Sequence, residues 1–189
     1  MSLLEPLYVP RARRPVQRQS ASPRKILVVN GHPDPRPERF CAALCDAYEA
    51  GAQAGAWQAR RLNVGALALA EPETIAHETG DATLELMRWS NRLVIVFPLW
   101  LDKPPERLRN LFERLARANN VERPASVVVT MEMPAFAHRA ACRAASSGHI
   151  ELPGIKTEKP IFIGCVDMIS AAQRKRWLQS IHSLGVRGT

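Results

Sequence analysis

Three short segments of this sequence carry residue types suited to holding a phosphorylated ring. The first, Asn30–Pro33, stops an apolar run and is followed by a helical pattern. A helix that opens over the end of a strand forms an anion cradle, because its free N–H groups and the positive end of its dipole point into the loop. The second segment, Pro98–Leu101, supplies apolar and aromatic side chains, and the third supplies backbone amides after Thr130.

Strands that end just before these segments must position them. Continuous apolar runs predict buried strands of a parallel sheet, whereas the more polar second run predicts an edge strand. The five predicted strands are Ile26–Val29, Trp57–Val64, Arg92–Phe97, Ala125–Thr130 and Pro160–Val166. Predicted helices begin near Phe40, Thr83, Pro104 and Ser170, and residues 135–158 are predicted to be irregular. The alternation predicts an α/β fold: a doubly wound five-stranded parallel sheet of order 2-1-3-4-5 with helices on both faces.

The predicted strand order brings the three segments together. Strands one, three and four are neighbours in it, so the loops at their carboxyl ends meet at the switch point where open α/β sheets bind ligands. A cleft with an anion site at one end and an apolar, aromatic wall beside it suits flavin mononucleotide or dinucleotide. Two residues of these loops also have interpretations that involve no ligand. His32 would suit a helix-capping role, and Trp100 would suit a position in the core.

The formal net charge of +8 belongs mostly to the first residues of the chain. Residues 1–25 hold six basic residues against one acid, which is +5 and leaves +3 for the remainder. Prolines, scattered arginines and weak periodicity predict that residues 1–23 form a basic extended arm and that residues 24–189 form one domain. The arm fits simple disorder, an organelle transit peptide, or a segment that docks on a partner protein or a neighbouring subunit.

Cysteine spacing and hydropathy favour a cytoplasmic protein. The four cysteines, Cys41, Cys45, Cys142 and Cys165, show no CxxC spacing, which predicts reduced thiols and no metal site. No apolar run approaches the roughly 20 residues of a membrane helix, so no transmembrane segment is expected. The basic residues show no aromatic-laced pattern, so nucleic acid is not an expected partner.

The first segment, together with Phe40 and the helix through Tyr48 and Gly51, resembles the opening of the flavodoxin-like NAD(P)H:quinone oxidoreductases. That family includes modulator-of-drug-activity proteins and the ancillary flavoproteins of potassium efflux systems. Phe97–Trp100 is similar to the family's flavin-ring loop, and Thr130–Ala135 is similar to its next loop. The likeness runs from about Lys25 to the C-terminus.

This resemblance implies a cofactor site, a reaction and an assembly. Its residues are His32, Arg39, Phe40 and Cys41 around the flavin phosphates, Pro98, Leu99, Trp100 and Leu101 along the isoalloxazine, and Thr130, Met131 and Glu132 at the polar edge of the ring. The implied cofactor is FMN or FAD, with NAD(P)H as hydride donor and a small quinone-like molecule as acceptor, in a homodimer. Because the cofactor carries this chemistry, no catalytic side chain is expected.

Several residues depart from the family pattern and support an alternative. Glu132 stands where the family usually has glycine, and its side chain would crowd the flavin's polar edge and oppose an anionic reduced ring. The segments after helix 104–118 and between Phe136 and Gly154 are shorter, and the second holds His138 and His149, which suit either proton transfer or a plain surface position. The alternative is a divergent flavodoxin-like subunit or regulator that binds flavin weakly or not at all and docks through its N-terminal arm.

Overall fold

A parallel β-sheet forms the centre of the computed structural model, which describes residues 24–67, 76–100, 103–117, 124–137, 152, 155–157 and 159–189. Its strands are β1 (Lys25–Asn30), β2 (Gln58–Asn63), β3 (Arg92–Leu99), β4 (Pro124–Met131), β5 (Lys156–Thr157) and β6 (Ile161–Ile163). The strand order is β2-β1-β3-β4, and both β5 and β6 pair with the outer edge of β4. The predicted α/β class and the order 2-1-3-4-5 are therefore confirmed.

Four helices cover the sheet: α1 (Phe40–Ala54), α2 (Ala76–Trp89), α3 (Glu106–Arg117) and α4 (Ala171–Arg187). On one face, Met87 of α2 and the stripe of α3 through Leu108 and Phe112 pack on the strands. On the other face, Leu44 of α1 and Ile181 of α4 do so. The continuous apolar runs of β1, β3 and β4 are buried for this reason, since after the first residue of each strand the side chains on both faces are covered by a helical layer.

The fifth position of the sheet differs from the prediction. Instead of one strand over Pro160–Val166, two short strands share the edge of β4, because β5 pairs with its beginning and β6 with Val128–Thr130. Pro160 lies between them and has no N–H to donate, so the ladder is interrupted there. After β6 the chain turns away at Cys165, whose φ of 55° is incompatible with a strand. Helix α2 also begins at Ala76, earlier than the predicted start near Thr83, whereas α3 begins at Glu106, directly after the two prolines near which it was predicted to begin.

Helices α1 and α4 approach each other so closely that their backbones touch. A Cβ atom at Gly51 would collide with the carbonyl group of His182, and one at Gly185 would collide with the carbonyl oxygen of Tyr48. Glycine is required at both positions by lack of space rather than by backbone conformation. This contact places the beginning of α4 beside the beginning of α1, where the candidate site lies.

The first turn of α4 is held by a capping box. The Ser170 hydroxyl accepts a hydrogen bond from the Gln173 N–H at 3.2 Å, and the Gln173 side chain accepts one from the Ser170 N–H at 2.7 Å. We expect Ser170→Ala to lower the free energy of unfolding by about 1 kcal/mol, measured by urea denaturation, because one helix donor loses its partner. Ser180→Ala, an exposed position on the same helix, is the control and should change stability by less than about 0.5 kcal/mol. Equal losses in the two variants would contradict the capping role.

The amino end of the sheet carries cations stacked on indole rings. Lys25 and Arg60 lie over the ring of Trp89, at 5.7 and 4.4 Å from its centroid, and Arg24 lies 5.5 Å from that of Trp57. These individual contacts were not predicted from the sequence, and the absence of a nucleic-acid partner stays a prediction. Within the described part of the chain, no helix has the length and apolar character needed to cross a membrane.

Candidate functional site

A pocket of about 310 Å³ lies at the carboxyl ends of β1, β3 and β4. This volume is at the lower end of the range of roughly 300–1,000 Å³ typical of ligand sites. Ten residues singled out in the sequence line it: His32, Arg39, Phe40, Cys41, Pro98, Leu99, Trp100, Thr130, Met131 and Glu132. The structure thus brings the three loops together, while their role in holding a cofactor stays a prediction. Leu101, His138 and His149 lie outside the described residues.

Hydrogen bonds to neighbouring strands hold the first loop in place. The Gly31 N–H donates to the Val96 carbonyl at 2.8 Å, and the His32 N–H donates to the side-chain oxygen of Asn30 at 3.1 Å. Asn30 is buried and donates in turn to Asn63 at 3.2 Å. A Cβ atom at Gly31 would lie 2.9 Å from the Cβ atom of Phe97 and 2.8 Å from the end of the Leu108 side chain, so glycine lets the loop pack closely on β3 and α3. The loop is therefore a rigid part of the site.

His32 is held as a neutral imidazole. Its Nδ1 accepts a hydrogen bond from the Asp34 N–H at 2.9 Å, which leaves Nε2 to carry the ring proton. Burial lowers the pKa of His32 below its usual value of 6.5, so the ring is uncharged near neutral pH. It meets Trp100 edge to face, with 5.8 Å between the ring centroids. His32 can thus donate one hydrogen bond, through Nε2, and adds no positive charge.

The beginning of α1 is an anion cradle without a capping side chain. Arg39 occupies the N-cap position but caps no N–H group, and the first turn holds no acidic residue. The first N–H groups of the helix, at Phe40 and Cys41, have no partner within the helix. Arg174 of α4 stacks on the Phe40 ring at 4.7 Å and donates to the Val166 carbonyl at 2.9 Å. Free backbone donors and two guanidinium groups therefore line one end of the pocket.

Asp34 already binds one of these guanidinium groups. Its carboxylate accepts hydrogen bonds from Arg36 Nε at 2.9 Å and from Arg39 Nε at 2.7 Å. These bonds hold the pKa of Asp34 well below its usual range, and the bond from Arg36 has the largest effect. The carboxylate therefore stays ionised. Asp34 orients Arg39 at the rim of the pocket and shares it with any incoming anion.

The Cys41 thiol is buried at the base of the cradle and lies 3.4 Å from the Thr130 hydroxyl. Burial raises the pKa of Cys41 to about 11 despite this hydrogen bond. The thiol is therefore protonated at neutral pH, and because the thiolate is the nucleophilic form, Cys41 is a weak nucleophile.

A fourth loop, which the sequence analysis did not include, also reaches the pocket. It follows β6, and its Val166 N–H donates to the Met131 carbonyl at 3.2 Å, which fixes the loop after β4. The additional lining residues are Glu38, Val166, Asp167 and Arg174. The predicted strand order contained the signal for this loop, because the fifth strand lies next to the fourth and its carboxyl end opens at the same rim. Glu132, on the loop that follows β4, is exposed.

Comparison with known proteins agrees with this architecture. A family model described as the flavodoxin-like fold matches residues 24–180. No curated protein matches the chain in sequence. Among solved structures, the NAD(P)H:quinone oxidoreductase from Methanothermobacter marburgensis is 15% identical, with a TM-score of 0.68 over 89% of this chain and 100% of that one. The FMN-dependent NADH-azoreductase from Bacillus anthracis, solved with FMN, is 11% identical, with a TM-score of 0.61 over 86% of this chain and 98% of that one.

A third similar structure is an NADH:FMN oxidoreductase in its apo form, which is 14% identical with a TM-score of 0.61 over 87% of this chain and 89% of that one. At these identities the likeness to solved structures establishes a shared fold. The family model spans most of the sequence, from the residue before β1 into α4. The chain therefore belongs to the flavodoxin-like fold family.

Proposed function

We propose that this chain is a flavin-dependent NAD(P)H:quinone oxidoreductase. The observation that carries the proposal is the pocket itself, which joins an uncapped helix N-terminus at one end to a tryptophan wall at the other. Trp100 is 44% exposed although it is a large apolar residue, which is typical of a ring that a ligand covers. Three similar structures carry names that include an NAD(P)H:quinone oxidoreductase, an FMN-dependent azoreductase and an NADH:FMN oxidoreductase.

The residues of the pocket fit a flavin phosphate. The first N–H groups of α1, the guanidinium groups of Arg39 and Arg174, and the Nε2–H of His32 are all donors suited to a phosphate. Together they would bind and orient it without a metal ion. Because these donors lie on rigid elements, little of the site has to reorganise when a ligand arrives.

The remaining lining residues fit the ring. Pro98, Leu99 and Trp100 would pack along it and exclude water, with Leu101 predicted to join them, while backbone amides near Thr130 and Met131 would face its polar edge. A flavin held by these residues would supply two-electron chemistry, in which NAD(P)H gives up a hydride and a quinone takes up two electrons and two protons to become a hydroquinone. The chain's contribution is orientation, so no side chain is assigned a proton-transfer role.

The proposal also covers the cofactor, the assembly, the location and the domain bounds. The cofactor is FMN or FAD, the protein forms a homodimer in the cytoplasm, and residues 24–189 form the flavin-binding domain. Residues 1–23, which lie outside the described residues, remain a predicted arm for a partner protein. Gel filtration of the full chain and of a chain that begins at residue 24 would test both the dimer and the independence of the domain.

One observation favours a second candidate, a flavodoxin-like subunit or regulator with weak or lost flavin binding. Three carboxylates, on Glu38, Glu132 and Asp167, line the pocket against the guanidinium groups of Arg39 and Arg174. With His32 neutral, the lining charges sum to a negative value, which opposes an anionic ligand. Asp34 adds to this effect because it shares Arg39.

The absorbance of the purified protein separates the two candidates. The enzyme should copurify with a flavin, or take one up on titration, with an absorbance band near about 450 nm and NAD(P)H-dependent reduction of a quinone. Protein that stays colourless after titration with both FMN and FAD would exclude the enzyme and support the second candidate.

Replacing Glu132 measures how strongly its carboxylate opposes flavin. We expect Glu132→Gly to lower the Kd for FMN by about two- to tenfold, a modest gain because the side chain is exposed and its charge is screened. Glu132→Gln keeps the size and removes the charge, so a similar gain in this variant would assign the effect to charge. Unchanged Kd values in both variants would show that Glu132 does not hinder flavin binding.

A further inference from the structure

A second pocket of about 240 Å³ lies beside the first, and Trp100 lines both. Three prolines, Pro33, Pro104 and Pro105, form its apolar walls. Its remaining lining residues are charged: Lys103, Glu106 and Arg107. The pocket thus combines a half-exposed aromatic ring and stiff apolar walls with a surplus of positive charge.

Backbone contacts fix the basic residues relative to the tryptophan. Trp100 and Lys103 exchange two backbone hydrogen bonds, with N···O distances of 3.2 and 3.0 Å. Arg107 donates to the Gly65 carbonyl at 3.4 Å, and the Gly65 backbone packs so tightly on Pro33 that a Cβ atom there would collide with it. The backbone around this pocket is therefore set by the fold before any ligand binds.

The two cations are available to an anion. Within the residues that the structure describes, neither Lys103 nor Arg107 forms an ion pair, whereas Arg36, Arg39 and Arg61 all do. Glu106 is exposed at the beginning of α3, where its charge stabilises the helix dipole. An arginine and a lysine that line the same apolar cleft are suited to a phosphate group, which arginine binds through two parallel hydrogen bonds.

We propose that this second pocket binds the 2′-phosphate end of the hydride donor, so that the chain uses NADPH in preference to NADH. The inference rests on the proposed function and identifies which donor that function uses. NADPH and NADH differ in this phosphate, which carries close to two negative charges at neutral pH. A donor that lies along the exposed Trp100 ring would reach from the first pocket, where hydride leaves, to Lys103 and Arg107 in the second.

Charge reversal tests the proposal. Lys103→Glu combined with Arg107→Glu should lower kcat/KM for NADPH at least tenfold and change kcat/KM for NADH by less than about threefold. Arg114→Glu, an exposed reversal on the same helix outside the pocket, is the matched control and should leave both values unchanged. Calorimetric titration of the wild-type chain with 2′,5′-ADP and with 5′-AMP measures the phosphate contact directly, and 2′,5′-ADP should bind at least tenfold more tightly.

The outcomes separate this proposal from the proposed function. If the chain fails to bind flavin, or oxidises neither NADPH nor NADH, the proposed function is wrong, yet tighter binding of 2′,5′-ADP that the double variant loses would still support the pocket. Equal binding of 2′,5′-ADP and 5′-AMP would overturn the pocket assignment even in an active enzyme. A double variant that raises the KM for a carboxylated quinone and leaves NADPH unaffected would also overturn it, since the pocket would then bind the acceptor.

Discussion

Reversing the charge at Arg39 is expected to raise the Kd for FMN roughly 30-fold, as measured by fluorescence titration. The guanidinium lies at the anion cradle and is oriented there by Asp34. A charge-assisted hydrogen bond contributes about 2 kcal/mol, which corresponds to this factor. Arg39→Glu also places a carboxylate beside the ligand phosphate. The fold should survive, because an acidic residue at a helix N-cap interacts favourably with the dipole.

Arg36→Glu is the matched control for Arg39→Glu. Arg36 contacts the same Asp34 carboxylate, through more hydrogen bonds than Arg39 makes, but does not line the pocket, so its reversal disturbs the local ion pairs at least as much. We expect it to change the Kd for FMN by less than about threefold. If both variants weaken binding to the same degree, Arg39 acts through the general potential of the loop and not as a phosphate ligand.

Replacing Gly51 by leucine is expected to lower the free energy of unfolding by about 3 kcal/mol or more. A side chain there meets the backbone carbonyl of His182, which no rotamer change can move aside, so α1 and α4 must separate. This loss exceeds the gain of about 1 kcal/mol that follows from removing glycine from a helix interior. Separation would also move Arg174 away from Phe40 and impair the site.

Ala50→Leu tests whether the effect is specific to the contact. Ala50 is the preceding residue on α1 and is exposed, so its replacement adds the same side chain without a neighbour to displace. Urea denaturation should show a change of less than about 0.5 kcal/mol for this variant. A Gly51→Leu protein as stable as wild type would show that the two helices have room to separate at little cost.

The sheet order and the meeting of three loops were predictable because both follow from local patterns. Continuous apolar runs at β1, β3 and β4 indicate strands buried on both faces, and right-handed crossovers between parallel strands leave few possible orders. Once that order is set, loops after neighbouring strands must share one edge. The residues His32, Trp100 and Met131 could therefore be assigned to one pocket from the sequence.

What the sequence did not reveal depends on strand register, on contacts between distant segments and on side-chain direction in an irregular turn. The split of the fifth strand around Pro160 depends on the register with β4, which no local pattern specifies. Arg174 reaches the cradle because glycines let α4 lie directly on α1, and a helix register of this kind is a tertiary property. The bond from Arg39 to Asp34 spans five residues in a turn, where side-chain direction cannot be read from periodicity.

The contact between Asp34 and Arg39 has a consequence for the kinetics of ligand capture. A free arginine side chain loses its rotational freedom when it first meets an anion, and that loss weakens the complex. Here the carboxylate immobilises the guanidinium during folding, so an arriving phosphate meets a donor whose direction is already set. The same carboxylate repels the phosphate once it has bound, which favours dissociation. The preset donor and this repulsion together favour rapid exchange, in which the ligand both binds and dissociates quickly.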